Sequence, residues 1–187
     1  MEHPPNSYCQ FVKNKEASNP HRIYHDTEYG FPLASDDELL GRLILEINQA
    51  GLSWSTILKK KENFYEAYDA FKAEVIANYT EADKERLLQN AGIIRNKLKV
   101  NAAIYNAQKI IELQKEYGSF KNWLDTHHPM KKEHWVKLFK KTFKFTGVEI
   151  TNEFLMSTGY LPGAHEPSCA IYQETLKHKP AWHKKPI

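Results

Sequence analysis

The chain has 187 residues, 41% of them apolar, and a formal net charge of +3. That length supports one good core or two small lobes and excludes several independent domains. No run approaches the roughly 18 apolar residues a membrane span needs, and MEHPPNSYCQ lacks a basic start followed by an apolar stretch, so a cytoplasmic protein is expected.

In chain order, the first well-specified element follows Pro32. In SDDE, Ser35 is the N-cap and Glu38 reaches back to it, and Leu39, Leu40, Leu43, Ile44 and Ile47 then mark one face of a helix that runs to Gly51. Ser53 is placed to cap a short helix through WSTILKKK, NFYEAYDAF reads as another, and TEAD at Thr80 opens one that ends near Gly92. NKLKVNAAIYNAQKIIELQKEYG reads as a long helix with Gly118 just past its end. Pro129 in DTHHP marks a break, after which HWVKLFKK and VEITNEFLMST are helical segments separated by TFKFTG. Nothing alternates as a strand does, and there are no repeats or low-complexity linkers. The class is all-α, in one compact unit of one or two lobes.

Charge is unevenly spread. From Lys131 onward ten Lys stand against five Glu, so the C-terminal third carries +5. Either a solvated face or a polyanion contact accounts for this, and charge alone does not choose. Two cysteines, Cys9 and Cys169, lie near opposite ends; in a reducing compartment a disulfide between them is the weaker expectation.

Two stretches carry chemistry. EINQAGLSW (46 to 54) puts a carboxylate into an apolar run. At 100° per residue Glu46 lies about 90° from the middle of the leucine and isoleucine stripe, at its edge. Such a position suits a pocket wall, but taken alone it reads first as a surface glutamate paired with Arg42. Gly51-Leu52 reads as a loop tip or as a helix end with Leu52 folded into the core. In TFKFTG, a tight connection ending in glycine can turn backbone N–H groups outward, with the positive end of the next helix behind them. Lys140, Lys141 and Lys144 add charge, so a DNA phosphate is a plausible ligand; an ordinary turn with Phe143 and Phe145 in the core is the alternative.

YHDTEYG (24 to 30), EINQAGLSW, ILKKKENF (57 to 64), AGIIRNKLKVNAAIYNA (91 to 107), FKFTG (143 to 147) and HEPSC (165 to 169) stand in an order and spacing similar to those of the DNA-3-methyladenine glycosylase I family. The resemblance runs from Cys9 to Cys169. It implies a single glycosylase domain over 1–187, compact and bilobed, with a helix-hairpin-helix element at about 133–158 and termini fastened by one structural zinc. The implied ligands are Cys9, His25, His165 and Cys169, a sound tetrahedral set for that ion. The implied activity is hydrolysis of the N-glycosidic bond of 3-methyladenine in alkylated double-stranded DNA, leaving an abasic site. Glu46 becomes the carboxylate that reads the base, and Phe11, Tyr24, Tyr29 and Trp54 its aromatic walls, each face worth about 0.5 to 2 kcal/mol to a cationic purine. Gly51 and Leu52 become the tip that enters the duplex; Lys140, Lys141, Lys144, Thr146 and Gly147 become the hairpin contact to DNA.

Members of the family usually carry tryptophan where this chain has Phe11 and Tyr29, and glutamine where it has Asn48; the segment from Trp123 to Lys140 lacks their Ser/Thr-rich stretch. The last aspartate, Asp125, precedes the hairpin, and Gly147 is followed by Val148 and Glu149, so no lysine is placed for Schiff-base lyase chemistry. A DNA-binding protein of the same fold that does not cleave, or a glycosylase with a shifted range of alkyl bases, is the alternative. No oligomer interface is legible, and a monomer is the expectation.

Overall fold

The computed structural model describes residues 7–183, and no strand occurs among them; Lys184 and Lys185, counted in the basic C-terminal third, lie outside the described residues. Two short helices come first, α1 (Tyr8–Val12) and α2 (Pro20–Thr27), then α3 (Asp36–Gln49) and α4 (Trp54–Ala67). After a 3₁₀ turn at Asp69–Phe71 follow α5 (Ala73–Ala77), α6 (Glu81–Gln89), α7 (Lys97–Tyr117) and α8 (Phe120–His127). Helices α9 (Lys132–Thr142), α10 (Val148–Ser157) and α11 (Ala170–Lys177) complete the set, before a last 3₁₀ turn at Ala181–His183. No described helix is long and apolar enough to cross a membrane.

The chain forms two compact units. An inner one spans Leu33–Phe154, and a terminal one gathers the residues before Leu33 with those after Phe154.

The inner unit is organised around α3. Its capping box forms as the sequence requires, with the Glu38 N–H donating to Ser35 Oγ at 3.1 Å and the Ser35 N–H donating to Glu38 Oε2 at 3.0 Å. The acids of its first turn also tie it to its neighbours. Asp36 accepts from the N–H groups of Phe120 and Lys121 at the start of α8 and from Gln114 Nε2, and Asp37 accepts from the Ala73 N–H at the start of α5. Helices α4, α5, α7 and α8 all pack against it. Every residue from Leu39 to Asn48 is buried as a result, Arg42, Glu46 and Asn48 among them. Placing Glu46 at the edge of an apolar stripe therefore fails, because periodicity assumes one solvent face and α3 has none along this stretch. A surface pair with Arg42 is excluded by the same burial.

Two further expectations are corrected. WSTILKKK and the first five residues of NFYEAYDAF are one helix, since nothing between Lys59 and Asn63 breaks the backbone; it ends at Ala67, and Asp69–Phe71 form the 3₁₀ turn. The helix opened by Thr80 ends at Gln89, three residues before Gly92. Gly118 does end α7, with φ +83°. Across the rest of the inner unit, Phe120, Trp123, Trp135, Phe139, Phe143 and Phe154 form a continuous aromatic core.

Candidate active site and metal centre

The link from α3 to α4 is a tight turn with a defined shape. Ala50 has φ −51° and ψ 117°, Gly51 has φ +80°, and the Leu52 N–H donates to the Gln49 carbonyl at 2.7 Å. Those are the features of a type II turn, which places its third residue in the left-handed region and so demands glycine. A Cβ at Gly51 would meet nothing within 4 Å, so it is backbone conformation and not crowding that fixes the residue. Leu52 is 42% exposed. The alternative with Leu52 in the core is thereby removed. Beyond it, Ser53 caps α4 by accepting from the Thr56 N–H. On the other side, Glu46 sits one turn back along α3 and is only 3% exposed.

The connection between α9 and α10 divides its aromatics. Phe143 is buried, whereas Phe145 takes a left-handed φ of +62° and is 40% exposed. Thr146 is buried, with Oγ1 3.0 Å from the Phe139 carbonyl and 3.2 Å from that of Phe143, so its hydroxyl satisfies the end of α9. The Thr151 N–H donates to the Gly147 carbonyl, starting the ladder of α10. Lys140, Lys141 and Lys144 are all exposed around the turn. Nothing lies within 4 Å of the place a Cβ would take on Gly147, so the backbone there is open to approach. Gly51 and Leu52 share a groove of about 450 Å³ with Gly147, Val148 and Glu149. The two turns, almost a hundred positions apart, thus meet on one face of the inner unit.

In the terminal unit, Cys9, His25, His165 and Cys169 bring their ligand atoms within 4.8 Å of one another. His25 Nε2 is 3.3 Å from Cys9 Sγ, 3.2 Å from His165 Nδ1 and 3.8 Å from Cys169 Sγ. Bonds of 2.1 to 2.3 Å to a tetrahedral ion put its donors about 3.4 to 3.8 Å apart, so the set fits such an ion with little adjustment. The outer nitrogens are already engaged: His25 Nδ1–H donates to Asp26 Oδ1 at 2.6 Å and His165 Nε2–H donates to the Tyr29 carbonyl at 2.7 Å. Each bond selects the tautomer that turns the other ring nitrogen toward the cluster. Burial pushes the Cys9 thiol up to about 11 and the His165 imidazolium down to about 4, so both favour their uncharged forms. A divalent cation supplies the charge that makes thiolates of such thiols. The cluster is one that could hold a metal.

Residues 14–137 match the methyladenine glycosylase family. DNA-3-methyladenine glycosylase 1 of Escherichia coli (strain K12) is 33% identical over 168 residues, covering 80% of this chain and 89% of that one. The chain belongs to the methyladenine glycosylase family. Solved members share its fold. A 3-methyladenine DNA glycosylase I from Staphylococcus aureus, studied for its recognition of 3-methyladenine, gives a TM-score of 0.78 at 31% identity, over 88% of this chain and 95% of that one. A single-residue variant of a 3-methyladenine DNA glycosylase I, solved in complex with 3-methyladenine, gives 0.78 at 31% identity, over 88% of this chain and 96% of that one.

The aromatic residues expected in a methyladenine glycosylase fall in both units. In the terminal unit, Tyr24 and Tyr29 are buried with ring centroids 5.6 Å apart, and Phe11 is 38% exposed, its ring under the Lys15 ammonium at 4.1 Å. In the inner unit, Trp54 opens α4 and is half-buried. Sequence reasoning missed Tyr8, whose ring stacks on Phe11 and meets Tyr24 and Tyr29 edge-on. It also missed Asp26, Lys99 and Asn106. Only Asp26 carried a signal, as a carboxylate next to a ligand histidine.

Proposed function

We propose that this methyladenine glycosylase removes 3-methyladenine from alkylated double-stranded DNA in base-excision repair, acting as a monofunctional hydrolase with the whole chain as one glycosylase domain. The observation that carries the reading is Glu46: a buried carboxylate six positions before Leu52, an exposed leucine on a type II turn that shares a groove with the lysine-flanked hairpin.

The chemistry is modest in its demands. 3-Methyladenine in DNA is cationic, so the C1′–N9 bond breaks with its electron pair moving to nitrogen, and the base leaves neutral without prior protonation. Water then adds to C1′ and loses a proton. What the protein must supply is recognition of the flipped base and stabilisation of charge developing on the sugar. Glu46 is assigned both, as acceptor for the exocyclic amine and as the fixed negative charge. Tyr24, Tyr29, Phe11 and Trp54 are assigned aromatic contacts with the cation. Leu52 acts as the apolar wedge in the duplex, with Gly51 permitting close backbone approach. Lys140, Lys141 and Lys144, with the backbone N–H groups at Thr146 and Gly147, serve as a helix-hairpin-helix contact to phosphates; the Thr146 side chain, buried against the end of α9, is left out of that contact.

The metal is assigned as one structural zinc per chain. Two thiolates and two imidazoles suit zinc better than harder ions. Bound by Cys9, His25, His165 and Cys169, it would close most of the chain into a loop and take no part in the reaction.

Incubation of the purified protein with methylated duplex DNA should release free 3-methyladenine, and Glu46→Ala should not. Tight binding to damaged DNA with no release at high enzyme concentration would establish the non-catalytic binder instead.

A further inference from the structure

We propose that Lys99 is a positioning residue for the Gly51-Leu52 turn, holding the wedge in register by gripping the carbonyls on either side of the point where the chain leaves α3. The proposal rests on the reading of Leu52 as the element that enters the duplex.

Lys99 stands in the first turn of α7, whose N-cap Asn96 accepts from the N–H groups of Leu98 and Lys99. The side chain is 5% exposed, and its Nζ donates to the Asn48 carbonyl at 2.9 Å and to the Ala50 carbonyl at 2.7 Å. Asn48 lies in the last turn of α3, where carbonyls lack intrahelical partners and a cation complements the helix dipole. Ala50 is the second residue of the type II turn. One ammonium therefore bridges the helix end and the turn itself.

Two features make this more than ordinary helix capping. Burying a lysine against neutral carbonyls is costly, and burial lowers its pKa; an aliphatic residue would fill the same space more cheaply were packing the only requirement. The turn has little else to fix it. Beyond its internal bond from the Leu52 N–H to the Gln49 carbonyl, Gly51 and Leu52 are exposed. An apolar side chain that must enter a base stack needs a defined direction before contact, because ordering it on binding would cost affinity. The ammonium supplies that direction from behind.

The test is a double-mutant cycle on full-length protein, with Lys99→Met, which keeps most of the aliphatic stem and removes the donors, Leu52→Ala, and the two combined. Affinity is measured for a duplex with a tetrahydrofuran abasic analogue, and separately for free 3-methyladenine. Lys99→Met should weaken duplex binding by about fivefold to twentyfold, leave free-base binding unchanged, and cost far less once Leu52 is already alanine. Lys99→Arg, which retains donors, should recover part of the loss. Equal losses in both backgrounds, or no loss in either, overturn the proposal. Undiminished duplex binding by Leu52→Ala alone instead overturns the wedge reading, and the positioning role with it. Should Lys99→Met fail to fold, Lys99→Leu, which also lacks a donor, carries the same cycle.

Discussion

Asn106 and Lys144 exchange two hydrogen bonds across 38 positions of sequence: Asn106 Nδ2 donates to the Lys144 carbonyl at 3.1 Å, and the Lys144 N–H donates to Asn106 Oδ1 at 2.8 Å. The asparagine is fully buried in the middle of α7. It does for the hairpin what a neighbouring strand would do, satisfying both backbone groups of one residue and setting the turn's height on the helix. The side chain of Lys144 remains free to face outward, its Nζ 5.0 Å from the centre of the Tyr105 ring. Asn106→Leu should cost about 1 to 3 kcal/mol, since two part-buried hairpin groups lose their partner. Urea unfolding measures the stability, and DNA affinity should fall further than stability alone explains.

Metal removal should act on stability before chemistry. Cys169→Ser, or exhaustive chelation, opens a loop from Cys9 to Cys169, for which chain entropy suggests a loss of about 3 to 5 kcal/mol by analogy with a disulfide. Elemental analysis of the parent should return one zinc per chain. A preparation without zinc that unfolds at the same urea midpoint as the parent would contradict the structural assignment.

At the tip, Leu52→Asp should weaken binding to duplex DNA while leaving the thermal midpoint near that of the parent, because the side chain is already exposed. Gly51→Ala should also lose affinity by a different route, with about 1 kcal/mol of strain from a left-handed φ. A collapse of folding in Leu52→Asp would show that the residue packs in solution.

Glu46→Gln keeps volume and removes charge. If the carboxylate stabilises the sugar as the bond breaks, release of 3-methyladenine should drop by about a hundredfold or more in single-turnover conditions. Excision and base binding at parental levels would show that the carboxylate serves structure only.

Phosphate contact at the hairpin predicts a salt signature. Replacing Lys140, Lys141 and Lys144 with alanine should lower the slope of log affinity against log salt by up to about 0.9 for each lysine that meets a phosphate. An unchanged slope would move the DNA contact away from this turn.

Local signals in the sequence carried much of this. Ser35 and Glu38, Ser53, Thr80 and Gly118 marked helix ends by chemistry confined to one turn, and each stands where its chemistry requires. The metal set was found through family likeness, because His165 and Cys169 near one end of a chain say little about Cys9 near the other; the two turns were legible as glycine-bearing connections, and likeness supplied only their expected roles. Glu46 was misplaced for a definite reason. Helical periodicity finds the most apolar side, but it cannot tell how many neighbours surround a helix. Lys99 and Asn106 were beyond reach for a related reason: each bonds to backbone groups, and carbonyls look alike in every sequence.

The terminal unit is assembled from both ends of the chain, with the inner unit inserted between them. During synthesis, Cys9 and His25 leave the ribosome early and must wait for His165 and Cys169 before an ion can take four protein ligands. The inner unit, by contrast, is a single uninterrupted stretch, Leu33–Phe154. Translation order therefore separates the two: the Gly51-Leu52 turn and the connection from α9 to α10 are both made before the third and fourth candidate ligands. A chain stalled before His165 would already carry Glu46 and Leu52 while its first two candidate ligands remained open to competing metals or oxidants.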